Sequence, residues 1–137
     1  MITTQALSAR AAQAYIQTHV QSRSPLELVV MLYDGLLRRL GEARAAITAR
    51  DLVRKKDAVS RALAILAELQ NTLNLDQGGE IARSLDDLYT YVNGRLLEGS
   101  ARNDESPFAE AERLLGPLRD AWAEIAARET AEGAQPR

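Results

Sequence analysis

The sequence contains no cysteine, one histidine and few aromatic residues: four tyrosines, one phenylalanine and one tryptophan. Without cysteine there is no disulfide, no thiolate nucleophile and no zinc–thiolate site. No stretch approaches the run of about 18 apolar residues that a membrane-spanning helix needs, and polar residues interrupt the N-terminus. The sequence therefore predicts neither a membrane span nor a secretory signal, and we expect a cytoplasmic location.

An excess of one charge sign is also absent. The net charge is −2, with acidic and basic residues interspersed, so the chain lacks the basic stripe that binds a phosphate backbone. Two short basic clusters, Arg38-Arg39 and Arg54-Lys55-Lys56, are expected to be solvated, the second in a loop. Neither cluster is extended or flanked by stacking aromatics, so no nucleic-acid partner is predicted.

The residues that dominate the sequence are Ala, Leu, Arg and Glu, which favour helices, whereas the aromatic residues that stock a sheet are scarce. The chain has 137 residues, of which 46% are hydrophobic and 26% charged. This composition is ordinary for a soluble globular protein, and the length suits one domain over residues 1–137. We therefore predict a single all-α domain.

Capping signals mark the first two helices. Ser24-Pro25-Leu26-Glu27 is a capping box with proline at the first helical position, which predicts a helix over 24–49. The polar residues 51–56 mark a turn, and a second helix is predicted over 53–75. Gly78-Gly79 then supplies the backbone freedom that a chain reversal needs.

The third and fourth helices follow the same logic. The third is predicted over 80–99, closed by the polar run 100–106. The fourth is predicted over 106–129, where Ser106-Pro107 repeats the cap-and-proline pair. Pro117 is expected to kink this helix without ending it, because the apolar stripe continues in phase. Residues 130–137 are expected to be a loose tail.

Four helices joined by short loops predict an antiparallel four-helix bundle. The segment before Ser24 does not fit that count and is expected to pack across the bundle as an additional element. The stripes of the third and fourth helices include Ile81, Leu114 and Ile125. The residues predicted to be structural are Leu32, Leu36, Leu40, Leu66, Leu73, Leu85, Leu88, Val92, Leu118 and Trp122.

The sequence lacks the residue patterns that are typical of catalytic sites. A di-metal site in a bundle needs several inward Glu residues and two Glu-x-x-His pairs, but the chain has only His19. No phosphate-binding loop or nucleophile elbow is present. The pair Asp86-Asp87 falls on the polar side of its helix, so a solvated face is favoured over acid–base catalysis. We predict no enzyme activity, no cofactor and no metal.

The first helix carries more apolar residues than one buried face requires, spread over about 160° of its circumference. One explanation is a wide core, covered by the N-terminal segment or by a second copy in a self-associating structural or adaptor bundle. The other is a groove that receives a helix of another chain. Helical periodicity alone leaves both open.

Five segments follow Tyr15 along the chain: SPLELVVMLYDG (24–35), AVSRALAILAEL (58–69), GGEIARSLDDLYTYV (78–92), RLLEGSARND (95–104) and LRDAWAEI (118–125). In their order and spacing, these residues resemble the flagellar export chaperone family FliS over nearly the whole chain.

The resemblance implies an antiparallel bundle that binds the disordered C-terminal segment of newly made flagellin in the cytoplasm. Such a chaperone prevents premature polymerisation and helps present its cargo to the flagellar type III export apparatus, including the export gate. It uses no nucleotide or metal. The resemblance also implies that the N-terminal segment, residues 1–22, acts as a lid that shifts to admit cargo. A further partner, such as a co-chaperone or regulator, is left open.

On this basis, cargo is expected to contact exposed edges of the first two helices and the lid. The predicted partner-binding residues are Tyr15 in the lid, Leu26, Val30, Tyr33 and Leu37 on the first helix, and Ile65 and Leu69 on the second.

The sequence departs from the family pattern at two places that contain glycine. Gly99-Ser100 stands where the family often has Ala-Asn, and Asn93-Gly94 replaces bulkier residues. These glycines are expected to loosen the last turn of the third helix. Pro117 is also unusual for the family. None of these positions is among the predicted partner-binding residues.

Overall fold

The computed structural model of the chain describes residues 24–134, with side chains to residue 132. Four α-helices follow one another: α1 (Pro25–Ala49), α2 (Leu52–Thr72), α3 (Gly79–Arg102) and α4 (Ser106–Ala134). The all-α bundle is confirmed. The additional N-terminal segment and its packing lie outside the described residues.

The helices form a closed ring in which each packs against the helices before and after it, and α1 also packs against α4. The packing is uneven, because α1 lies against α2 and α4 more extensively than α3 lies against its own neighbours. Polar contacts between helices show the antiparallel order. They join Arg44 to Glu112, Asp34 to Arg119 and Glu27 to Thr130 between α1 and α4, and Lys55 to Ser100 and Gln70 to Asp86 between α2 and α3.

Local signals in the sequence set the start of α1 and α2. The Ser24 hydroxyl accepts a hydrogen bond of 3.2 Å from the backbone N–H of Glu27, as the capping box predicts. The Asp51 carboxylate caps α2 in the same way, accepting from the N–H of Arg54 at 3.1 Å. Both caps satisfy amides that a helix leaves without an internal partner.

Some predicted boundaries are wrong by three to five residues. α2 ends at Thr72, because Leu73 adopts an extended backbone. α3 continues to Arg102, where Asn103 ends it in the left-handed conformation. α4 runs through Pro117 and on to Ala134, so residues 130–134 are helical and not a loose tail.

The core contains large side chains from all four helices, and the ten residues predicted to be structural either belong to it or pack against it. The largest fully buried side chains are Tyr33, Leu36, Leu40, Leu66, Leu69, Tyr89, Val92, Leu96, Phe108 and Leu115. None of the helices within residues 24–134 has the length and apolar character of a bilayer-spanning segment.

The basic cluster at residues 54–56 is not in a loop, because it forms part of the first turns of α2. Lys55 within it is buried, and this corrects the expectation of a solvated side chain. Its ammonium donates to the backbone carbonyl of Ser100 at 2.8 Å and to Oδ1 of Asn103 at 2.6 Å. A cation at the C-terminal end of α3 also interacts favourably with the helix dipole.

The last turn of α3 is formed, so the expectation that its glycines loosen it is wrong. Gly99 is buried, and a Cβ there would lie 2.8 Å from Cε2 of Phe108 and 2.9 Å from the carbonyl oxygen of Asp104. Glycine is needed at this position because the start of α4 approaches the α3 backbone closely. Gly94, by contrast, faces open space.

We predict opposite effects for alanine at these two glycines. Gly94→Ala should stabilise the fold by about 0.5–1 kcal/mol, because alanine loses less backbone entropy in a helix. Gly99→Ala should destabilise it by about 1–3 kcal/mol, because the new methyl group overpacks the contact with Phe108. Urea unfolding of both variants measures the difference, and equal effects would contradict the role assigned to Gly99.

Candidate functional site

Three of the predicted partner-binding residues, Leu26, Val30 and Leu37, lie half-buried along one side of α1. Helical periodicity places them near Asp34, whose carboxylate accepts a hydrogen bond of 2.7 Å from Nε of Arg119 on α4. This side of α1 therefore faces α4. The three side chains are partly accessible at the seam between the two helices.

The other predicted positions do not join them in one groove. Tyr33 and Leu69 are 0% and 1% exposed, so the expectation that they line an exposed edge is wrong. Ile65 is half-buried on the opposite side of α1, where its Cδ1 would lie 3.5 Å from a Cβ at Gly35. Tyr15 lies outside the described residues. Because α1 is packed on both sides, its wide apolar arc is largely covered.

Tyr33 instead forms a buried polar contact across the bundle. Its hydroxyl lies 2.5 Å from the hydroxyl of Tyr89 on α3, and the two rings meet edge to face with centroids 6.4 Å apart. Burial raises the pKa of Tyr33 and of Tyr89, so both hydroxyls are neutral at physiological pH. The Trp122 indole N–H is near enough to favour the ionised form of Tyr33, but it makes no hydrogen bond of normal geometry.

We predict that the two hydroxyls act as a unit. Tyr33→Phe or Tyr89→Phe should each cost about 1–3 kcal/mol, because each leaves a buried hydroxyl without its partner. The double variant should lose less than the sum of the two, because both polar groups are then gone. Unfolding free energies of the four proteins complete the cycle. Strict additivity would mean that the hydroxyls do not interact in the folded protein.

Several exposed apolar side chains lie between α3 and α4. The position of this surface follows from Glu110 on α4, whose carboxylate accepts hydrogen bonds of 2.8 Å from both Tyr91 and Arg95 on α3. Residues three, four or seven positions along α3 from Tyr91 and Arg95 lie on the same face of that helix, and residues at the same spacing from Glu110 lie on the facing side of α4. Both rows of residues run toward the α2–α3 turn. We call this surface the α3–α4 seam; it consists of Ile81, Leu88 and Tyr91 on α3, and Leu114, Leu118 and Ile125 on α4.

Four of the six side chains of the seam are exposed to solvent, whereas Leu88 and Leu118 are half-buried against the core. Ile81 is 73% exposed, Tyr91 48%, Ile125 42% and Leu114 39%. Sequence analysis placed Ile81, Leu114 and Ile125 on core-facing stripes, and did not single out Tyr91. The sparse packing of α3 explains the difference, since these helices do not approach closely enough to cover both stripes.

The walls of the seam favour a helical partner. Each wall is an α-helix whose backbone groups are already hydrogen-bonded within that helix, so it offers an incoming chain apolar side chains and no backbone ladder. An extended peptide would bury its own amides there without partners, whereas an amphipathic helix satisfies them internally. Within residues 24–134, no three acidic or histidine side chains are grouped as metal ligands would be.

Charged groups close one end of the seam. The hydrogen bonds from Arg95 and Tyr91 lower the pKa of Glu110 below its ordinary value of 4.5, because they stabilise the ionised carboxylate. Arg95 also pairs with Glu98 at 2.9 Å. This network ties the C-terminal half of α3 to α4.

We predict a pH-dependent contribution from Glu110. A lowered pKa in the folded state means that its stabilising effect is complete above the unfolded-state pKa and is lost as the pH falls through the folded-state value. The difference in unfolding free energy between the natural protein and Glu110→Gln should therefore be constant near neutral pH and shrink below about pH 4.5. Urea titrations across this range measure it. A difference that does not vary with pH would contradict the assignment.

Fold and surface together define an all-α helical bundle that leaves apolar side chains exposed between two of its helices, as is typical of proteins that bind other chains. Comparison with known proteins identifies one protein family. The family "Flagellar protein FliS" matches residues 8–129, and the chain belongs to this family.

Curated relatives agree with this assignment. The flagellar secretion chaperone FliS of Salmonella typhimurium is 39% identical over 115 residues, which cover 83% of this chain and 85% of the relative. The FliS chaperone of Campylobacter jejuni is 37% identical over 120 residues, covering 88% and 94%. That of Bacillus subtilis is 37% identical over 109 residues, covering 80% of each. The chain is thus similar to flagellar secretion chaperones over most of its length.

Proposed function

We propose that this protein is a cytoplasmic export chaperone that binds the disordered C-terminal segment of flagellin. Membership of the FliS family supports a flagellar client. The observation that carries the mechanism is the α3–α4 seam, because a chain that leaves several large apolar side chains exposed along one seam has surface available for a partner.

In this proposal the client folds into helices as it binds. The seam takes one helical stretch, and Leu26, Val30 and Leu37 at the α1–α4 seam form a second contact line on the other side of α4. Ile65 and Tyr15 remain proposed contacts, whereas Tyr33 and Leu69 support the surface from within the core. Covering the client's apolar face prevents its premature polymerisation and keeps it competent for delivery to the type III export gate. The proposed role needs no catalysis and leaves room for a co-chaperone or regulator.

The binding energy available is sufficient for such a role. Full burial of a large apolar side chain contributes about 1.5–3 kcal/mol. Several such side chains at the seam offset the cost of ordering a disordered segment, which is about 2–5 kcal/mol.

Calorimetric titration with the C-terminal segment of the cognate flagellin tests the proposal. We expect binding with a negative heat-capacity change, since apolar surface is buried. The double variant Ile81→Ala with Leu114→Ala should weaken binding at least about tenfold, which corresponds to a loss of about 1.4 kcal/mol. Its melting temperature should change little, because both side chains are exposed.

Val53→Ala provides the matched control, because Val53 is 80% exposed and lies at the far end of the bundle on α2. It should bind the segment as the natural protein does. Failure of the natural protein to bind the segment, with light scattering showing a tight dimer, would replace this proposal with a self-associating bundle. Normal binding by the seam variant would move the contact to Leu26, Val30 and Leu37.

A further inference from the structure

The two halves of α3 are held to the bundle very differently. Its large buried side chains, Tyr89, Val92 and Leu96, all lie from residue 89 onward, while the first ten residues fully bury only the small side chain of Ala82 and pack Leu85 and Leu88 half-buried against the core. Burial of large side chains is what makes a segment resist opening. The first ten residues of α3 are therefore anchored less firmly by apolar contacts than the rest of the helix.

Polar contacts show the same asymmetry. Lys55 holds the C-terminal end through Ser100 and Asn103, and Glu110 on α4 holds Tyr91 and Arg95. Within the described chain, no hydrogen bond or ion pair joins residues 79–88 to α4. To α2 they are joined by the Gln70 amide, which donates to the Asp86 carboxylate at 3.1 Å and to the Asp86 backbone carbonyl at 3.5 Å.

The N-terminal end of α3 also lacks a cap. Gly78 precedes the helix without a side-chain hydrogen bond to it, and Gly79 has a φ of 59°. The amides of the first turn are thus left without a side-chain acceptor. Two adjacent glycines further lower the cost of leaving the helical conformation.

We propose that residues 79–88 form a gate, which opens by local unfolding from Gly78-Gly79 inward and stops at Tyr89. Opening widens the α3–α4 seam at the end where Ile81 and Ile125 are exposed. The rest of α3, from Tyr89 onward, stays packed and keeps the bundle folded. That the gate admits a client rests on the proposed function. The opening itself is a property of the free protein.

Hydrogen exchange of the free full-length chain, resolved by residue, tests the gate. Amides of residues 83–88 should exchange at least about tenfold faster than those of residues 92–99, with a weak dependence on urea that marks a small local opening. Simple fraying of helix ends would act at both ends of α3. The gate predicts that residues 97–102 stay protected, and equal exchange at the two ends would overturn it.

A matched pair of lysine variants tests whether the contact of Lys55 with Ser100 and Asn103 holds the C-terminal end of α3 closed. Lys55→Met should raise exchange at residues 97–102 severalfold and so make the two ends of α3 alike, because the carbonyl of Ser100 loses its donor. Lys56→Met, at the neighbouring exposed position, should leave the asymmetry unchanged. An identical exchange pattern in the two variants would show that Lys55 does not cause the difference between the two ends of α3.

Addition of the flagellin C-terminal segment separates the gate from its use. Slower exchange at residues 83–88, with little change at 92–99, would support client entry through the gate. If the segment binds without affecting residues 83–88, the gate does not serve this client. If the segment does not bind, the proposed function fails, but the asymmetry in the free protein still decides whether the gate exists.

Discussion

The packing of α1 is the constraint on which the rest of the bundle depends. Its apolar arc is wide enough to serve two neighbours, and α2 and α4 close on it from both sides. Tyr33, Leu36 and Leu40 are consequently sealed at the centre of the bundle. Because α2 and α4 pack more extensively against α1 than against α3, α3 completes the ring with less apolar contact. The exposed apolar residues therefore lie between α3 and α4.

Polar groups then decide how the under-packed helix is held. The neutral Tyr33–Tyr89 pair ties the middle of α3 to α1, and Lys55 ties its C-terminal end to α2. These contacts are buried, so their loss would leave unsatisfied groups, which makes them strong determinants of one arrangement. The first ten residues of α3 lack comparable ties. One small domain thus combines a firmly held frame with a helix segment that has fewer buried contacts.

Sequence patterns predicted the fold more reliably than they predicted which apolar residues are exposed. Capping residues such as Ser24 act on amides three positions away, so helix starts could be assigned from local order alone. The interior role of Leu66 or Val92 followed equally from helical periodicity. The expected exposure of Tyr33 was wrong because periodicity shows that a residue is on an apolar arc, but not how many neighbours cover that arc. Lys55 was misassigned because its partners, Ser100 and Asn103, lie more than 40 positions away in the sequence.

The sequence by itself determined the all-helical class, the number of helices and their order, because these depend on propensity, capping and spacing within about 20 residues. It also carried the resemblance that the family comparison established. Only the tertiary structure decided which apolar residues remain exposed, since exposure depends on the distance between helices. Ile81 and Leu36 belong to similar stripes, yet one faces solvent and the other the core. The difference arises from the sparse packing of α3 against α4.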